Sequence, residues 1–173
     1  VAERVFAALA RARERIAIAG SLRRGAAMVS DIEIVCVPRR GPDLLGEPRG
    51  RCLISDAVVS MRDAGQLRWR EETHRQPRDW AGRRAWNLVV LPESIALDLF
   101  VVRPPAQWGA ILAIRTGPAD YSRRLVTRCR EERGFRCEDG RLVDADGRTV
   151  HTPEEEDFIL TCGFPWVSPE ERR

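Results

Sequence analysis

Ile18-Ala19-Gly20-Ser21-Leu22-Arg23-Arg24-Gly25, followed by Ser30-Asp31-Ile32-Glu33-Ile34-Val35, is the stretch of this 173-residue chain whose reading decides the fold. Ahead of it, Ile16-Ala17-Ile18-Ala19 is short, apolar and β-branched at alternate positions, and it ends in Gly20-Ser21, the pattern of a strand running into a tight turn. A second strand is expected over 32–37. Asp31 and Glu33 stand two apart, so on a strand both side chains leave one face while Ile32 and Ile34 point into the core. Two adjacent carboxylates repel unless cations sit between them. Mg²⁺ takes carboxylate oxygens together with substrate phosphates, which makes such a pair beside a phosphate-binding turn a natural two-metal platform. A third acid, Asp98, lies in Ile95-Ala96-Leu97-Asp98-Leu99-Phe100, a strand apolar enough that an isolated carboxylate inside it would be costly. Gly20-Ser21 lets the backbone approach phosphate closely, offering amide hydrogens and a hydroxyl, and Arg24 follows within one helical turn. Alternating acids on strands are common in structural roles, but joined to the Gly-Ser turn and Asp98 they favour chemistry.

Outward from this stretch, residues 2–15 carry Val5, Phe6, Leu9 and Ala12 at helical spacing and predict a surface helix. Gly, Pro and Arg mark a loop over 38–51, and Leu53, Ala57, Val58 and Met61 predict a helix over 52–64. The period then changes. Leu67-Arg68-Trp69-Arg70 alternates, 85–91 and 95–102 read as strands, and Pro92-Glu93-Ser94 reads as a hairpin turn between them. Pro104-Pro105 can neither continue a central strand nor begin deep in a helix, which places a boundary there: a first lobe over 1–105 and a second over 106–173. In the second, 108–114 and 121–133 read as helices separated by Thr116-Gly117-Pro118, and 135–150 as short strands around Asp146-Gly147. A last helix opens at Thr152-Pro153-Glu154-Glu155, with threonine as its cap, proline at its first position and glutamate completing a capping box. The fold class expected is α+β.

Composition narrows the chemistry. The 29 basic residues are all arginine, so a Walker-type phosphate loop and a Schiff-base lyase, which both need lysine, are excluded. The arginines cluster: residues 106–136 hold seven against three acids, and 137–173 hold four against ten. An internal basic stretch suits a nucleic-acid backbone, with a solvated helix face as the bland alternative. Five irregularly spaced cysteines lack the paired spacing of zinc sites and read as reduced structural thiols. The longest apolar stretches, about ten residues, fall short of the roughly 20 that cross a bilayer. A start without methionine or signal-peptide pattern is read as a fragment or processed product. Tryptophans 69, 80, 86, 108 and 166 are expected in the core rather than stacking on bases, and His74 and His151 in loops or exposed.

The Gly-Ser turn followed by an acidic pair resembles the DNA polymerase beta superfamily of nucleotidyltransferases. Further features resemble family X DNA polymerases: Gly20-Ser21-Leu22-Arg23-Arg24-Gly25 with Asp31 beyond it, Leu97-Asp98-Leu99-Phe100, Arg115-Thr116-Gly117-Pro118-Ala119-Asp120-Tyr121, and the closing Cys162-Gly163-Phe164-Pro165-Trp166. The likeness runs over about 16–172, spanning a catalytic palm and a C-terminal nucleotide-binding lobe. It is greatest to the small viral members, with neither a helix-hairpin-helix region nor a lyase domain in this sequence. It implies that Asp31 and Glu33 hold two Mg²⁺ ions, or Mn²⁺ in their place, while Asp98 binds the catalytic metal and helps activate a primer 3′-hydroxyl. Gly20, Ser21, Arg24 and Ser30 would grip a deoxynucleoside triphosphate, with Thr116, Gly117 and Tyr121 beside it. Arg123, Arg124 and Arg128 would contact a DNA primer-template or gapped DNA. The family turn beside the nucleotide carries a cis peptide after its glycine, and an X-Pro cis bond costs only about 0.5–1 kcal/mol, so a cis Gly117–Pro118 bond is expected.

The implied activity is DNA-directed DNA polymerisation by a monomer that fills short gaps during DNA repair, in the cytoplasm or on the nucleoid. The alternatives are a nucleotidyltransferase acting on a small molecule, an RNA end or a protein, and a nucleic-acid-binding protein without catalysis. Three departures from the family pattern bear on selectivity. Glu33 stands where aspartate is usual, as in some antibiotic-modifying nucleotidyltransferases. Ile114-Arg115 stands where aromatics flank the sugar, and Ala96 where many members have arginine.

Overall fold

The computed structural model describes residues 1–42, 50–70 and 85–172. The chain divides into two compact units, the first comprising Val1–Ile18 and Ser30–Val101, the second Ala19–Val29 and Val102–Arg173. This differs from a single division after residue 105: the break falls at Val101, and the segment holding Gly20, Ser21 and Arg24 clusters with the C-terminal residues.

In the first unit, helix α1 spans Ala2–Ala8 and gives way to a 3₁₀ turn, Ala10–Ala12. The helix expected to reach residue 15 stops early because Arg13–Ile18 form strand β1, whose backbone pairs with the next strand. That strand, β2, is Asp31–Pro38. Helix α3, Leu53–Asp63, follows (α2 belongs to the second unit), then β3 (Leu67–Trp69), β4 (Ala85–Val90) and β5 (Ile95–Val101). The five strands form one sheet in the order β1-β2-β5-β4-β3, antiparallel except for the central β2–β5 pair.

Period-two alternation decides which face is covered. Ile32, Ile34 and Cys36 of β2, Leu97, Leu99 and Val101 of β5, and Trp86, Leu88 and Val90 of β4 join Val5 and Leu9 of α1 and Ile54, Val58 and Met61 of α3 in one buried cluster. The opposite face carries Asp31, Glu33, Asn87 and Asp98. Trp86 is 1% exposed, so replacing it by alanine would cost about 3–5 kcal/mol.

In the second unit, α2 is the single turn Gly20–Arg23, α4 is Trp108–Thr116, α5 is Ala119–Arg133 and α6 is Glu155–Thr161. Strands β6 (Arg136–Glu138), β7 (Arg141–Val143) and β8 (Thr149–Val150) make an antiparallel meander. Tyr121, Leu125 and Cys129, four residues apart along α5, join Ala110 and Ala113 of α4, Leu142 of β7, and Phe158 and Ile159 of α6 in a second core. Helix α5 ends at Gly134, whose φ of 70° closes it as a left-handed cap. Helix α6 starts two residues beyond the expected cap: Glu154 is its N-cap, in a capping box with Asp157. Thr152 is diverted, its N–H and hydroxyl both directed at Gln107 Oε1 (2.5 and 3.2 Å).

All five cysteines are free thiols, four of them buried. Trp86 and Trp108 are buried and Trp69 packs on the first core. Trp166 departs from expectation at 39% exposure, its ring lying under the Arg172 guanidinium, 4.9 Å from the centroid. Trp80 and His74 lie outside the described residues, and His151 is exposed. Among the described residues, no helix is long and apolar enough to cross a membrane.

Candidate functional site

The acidic cluster is a product of sheet register. Glu33 on β2 is the direct partner of Asp98 on the parallel β5, and Asp98 is the direct partner of Asn87 on the antiparallel β4. Asp31, two residues before Glu33, lies opposite Ala96 and shares that face. The three carboxylates therefore occupy one patch of the sheet face turned away from α1 and α3. Burial alternates along β2, with Asp31 and Glu33 half-buried between the buried Ile32 and Ile34.

Asp98 is engaged. Arg70 Nη2 and Asn87 Nδ2 both donate to its Oδ1, each at 2.7 Å. Ser30 is exposed and its hydroxyl reaches Asp31 Oδ1 only at the 3.5 Å limit. The donor set is the right chemistry for Mg²⁺, which binds hard carboxylate oxygens. It is not a finished cage: among the described residues, no group of three His, Cys, Asp or Glu side chains could hold a metal by itself. Mg²⁺ ordinarily uses one or two carboxylates together with substrate phosphates, so these residues would fit an ion only where phosphate oxygens complete its shell.

The other expected residues lie in the second unit. Gly20 sits at φ 63°, a left-handed conformation that suits glycine, and it turns the chain into α2. Behind this turn is a network that sequence reasoning missed. Arg23 forms a bidentate pair with Glu155 (Nη1–Oε1 2.8 Å, Nη2–Oε2 2.7 Å) and also donates to Thr116 Oγ1 at 2.7 Å. Arg172, with its side chain fully buried, donates to the same Glu155 Oε1 at 2.5 Å. Arg24 Nη1 donates to the Thr116 carbonyl at 2.6 Å. The end of α2 is thus tied to the end of α4, the start of α6 and the C-terminal residues. Burial, the largest single influence on Glu155, works to raise its pKa, but the hydrogen bonds and charges of Arg172 and Arg23 outweigh it and hold the carboxyl below its usual range.

Thr116 is fully buried as the last residue of α4, and Gly117 continues in an extended conformation (φ −68°, ψ 151°). A side chain at Gly117 would meet the Tyr121 ring at 2.6 Å and Ser122 Oγ at 2.8 Å. Among the described residues the cis bonds are Leu91–Pro92 and Pro104–Pro105, so the expected cis Gly117–Pro118 bond is trans. Tyr121 is 5% exposed, edge-on to Phe164 at 6.1 Å, and burial pushes its phenol pKa up. Of the expected DNA contacts, Arg123 and Arg124 are exposed, and Arg123 pairs with Asp120 one turn back (2.9 Å). Arg128 pairs with Glu132 at 2.7 Å and lies 4.9 Å from the Phe164 ring centroid.

Residues 111–173 match the family model for the DNA polymerase beta thumb. The match supports a family X polymerase-like relationship and a polymerase-like enzyme, and the mixed α+β architecture is compatible with it. It takes in Thr116, Gly117, Tyr121, Arg123, Arg124, Arg128, Glu155 and Arg172, and leaves the carboxylate sheet outside. No curated protein matches the chain. Arg70, Asn87, Arg23, Glu155 and Arg172 had no local signal in the sequence, because each acquires its partner across 11 to 132 positions.

Proposed function

We propose that this protein is a metal-dependent nucleotidyltransferase that adds deoxynucleotides to a primer 3′-hydroxyl as a DNA-directed DNA polymerase filling short gaps in repair. The observation that carries the reading is the register pairing of Glu33 with Asp98 across β2 and β5, with Asp31 on the same face. The thumb-like C-terminal region supports it.

In this reading Asp31 and Glu33 would hold two Mg²⁺ ions and Asp98 would be a further ligand to the catalytic one. When bound, the ions would supply charge neutralisation at the reacting phosphate and lower the pKa of the 3′-hydroxyl. The chain's own residues bind and orient. The Ser21 hydroxyl and the Arg24 guanidinium take the triphosphate: a guanidinium has five N–H donors, so Arg24 keeps donors for phosphate oxygens while Nη1 holds the Thr116 carbonyl. The Arg23–Glu155–Arg172 network fixes the backbone of α2 beneath them. Rate acceleration then comes from positioning and electrostatics. Exposed α5 arginines bind the DNA backbone, and the protein acts as a monomer in the cytoplasm or on the nucleoid.

Primer extension on defined templates with single deoxynucleotides and Mg²⁺ tests the proposal. Template-matched incorporation with pyrophosphate release is the expected result. Extension of a non-DNA acceptor alone, or DNA binding without pyrophosphate release, would overturn it.

A further inference from the structure

The row of side chains across the carboxylate face does not stop at the acids. Arg70 N–H donates to the Asn87 carbonyl at 3.2 Å, continuing the β3–β4 pairing by one residue and bringing Arg70 level with Asn87. Asn87 lies opposite Asp98, and Asp98 opposite Glu33. Three adjacent strands, together with the residue that follows β3, thus present Arg70, Asn87, Asp98 and Glu33 in one line. The two donors reach the same atom, Asp98 Oδ1, at 2.7 Å each, and Oδ2 accepts from neither.

A carboxylate on a strand rotates about χ2 in a broad, two-fold well, so its two oxygens exchange freely unless something holds one. Two donors arriving from neighbouring strands hold it. Their anchoring points are sheet residues, whose separation is set by the ladder rather than by mobile side chains. Asp98 has a side-chain exposure of 18% and Arg70 of 34%, so the ion pair is partly withdrawn from water and holds its geometry better than an exposed pair does.

We propose that Arg70 and Asn87 are positioning residues that clamp Asp98 through Oδ1, so that it offers Oδ2 as its single working oxygen to the metal and the primer hydroxyl. The inference rests on the nucleotidyltransferase reading above and adds to it the means by which this chain orients its third carboxylate. Ala96, which lies two residues before Asp98 and faces Asp31, brings no donor to the row, so orientation comes from the β3–β4 side.

The test combines Mn²⁺ binding by electron paramagnetic resonance, with Mn²⁺ alone as the probe, and steady-state primer extension in Mg²⁺. Asn87→Ala is the cleanest variant because it removes a donor without changing charge. It is expected to weaken Mn²⁺ binding and to lower kcat by about 10–100-fold while the nucleotide KM moves less than about twofold, the range found when outer partners of metal ligands are removed. Arg70→Ala should lower kcat similarly, and Arg70→Lys, which keeps charge and a donor but not the planar fork, should recover part of it. Arg62→Ala, which removes a surface pair with Asp63, is the control and should behave as wild type. Unchanged kcat and Mn²⁺ affinity in Asn87→Ala would overturn the clamp. So would a rise in kcat or a lower Mg²⁺ requirement in Arg70→Ala, which would make Arg70 a competing cation instead. If the wild type adds no nucleotide, the enzymatic reading fails by itself and the Mn²⁺ arm decides the clamp: equal affinity in Asn87→Ala, or no binding by the wild type, refutes it. Thermal midpoints of all variants separate loss of folding from loss of positioning.

Discussion

Asp98 has the heaviest duty of any single residue here, because it is the acid proposed to stand nearest the attacking hydroxyl. Asp98→Asn keeps the shape and one oxygen but loses the charge. It is expected to lower nucleotide addition by about 10²–10⁴-fold, the range for loss of a positioned acid or base, with nucleotide affinity close to wild type. Single-turnover extension beside equilibrium nucleotide binding measures the two separately, and retained turnover would remove the carboxylate face from the mechanism. Glu33 is longer by one methylene than the aspartate usual in the resembling family, and Glu33→Asp should change the relative rates in Mg²⁺ and Mn²⁺ more than it changes stability, read from extension in each metal. The place of Tyr121 after Thr116-Gly117 suggests a nucleotide contact, and the structure buries its ring in the second core. An aromatic at i, i+4 and i+8 spacing with Leu125 and Cys129 meets a core by helical periodicity whatever its neighbours in sequence.

At the scale of elements, α4 packs tightly against the segment that leads into α6. A side chain at Gly109 would strike the Glu154 carbonyl oxygen and also lie 2.5 Å from that of Thr152, both rigid backbone. Gly109→Ala is therefore expected to destabilise the second unit by about 1–3 kcal/mol or more, the ordinary cost of overpacking, measured by urea denaturation. The start of α6 also carries Glu155, which joins α2 to the C-terminal residues through Arg23 and Arg172. Glu155→Ala leaves the buried Arg172 guanidinium without its carboxylate, and the part-exposed Arg23 with it, and should cost about 3–5 kcal/mol. Because the folded-state pKa of Glu155 is depressed, its contribution is present above the ordinary glutamate pKa of about 4.3 and is lost as pH falls through the lower folded value. Urea midpoints measured from pH 7 downward should fall more steeply in wild type than in Glu155→Gln below about pH 4.3.

For the whole molecule, the proposed DNA binding would rest on arginines, with no lysine in the sequence. The Arg123–Asp120 pair is exposed on both sides and contributes at most about 1 kcal/mol, so Arg123 can exchange its partner for a phosphate at little cost. Fluorescence anisotropy at several salt concentrations should give a steep fall of log K with log[salt], with Arg123→Ala and Arg124→Ala each reducing the slope by about 1. An unchanged slope would move the DNA contact away from α5. Strand and helix types were legible from the chain because alternation at 32–37 and 95–102 and helical spacing at 121–133 are local properties. Boundaries shifted where partners intervened: pairing with β2 drew Arg13 into a strand, and Gln107 took Thr152 from the cap of α6. The three acids stand out in the sequence because the two strands that hold them are otherwise apolar. By itself, then, the sequence determined the α+β class, the acidic set and the absence of lysine chemistry, all of which follow from residue identity and short-range period. Only the tertiary structure decided that Glu33 meets Asp98, that Arg70 and Asn87 hold that carboxylate, and that 19–29 clusters with the C-terminal residues. Those outcomes depend on strand order, register and ion pairs closed over long stretches of chain, which no local period encodes.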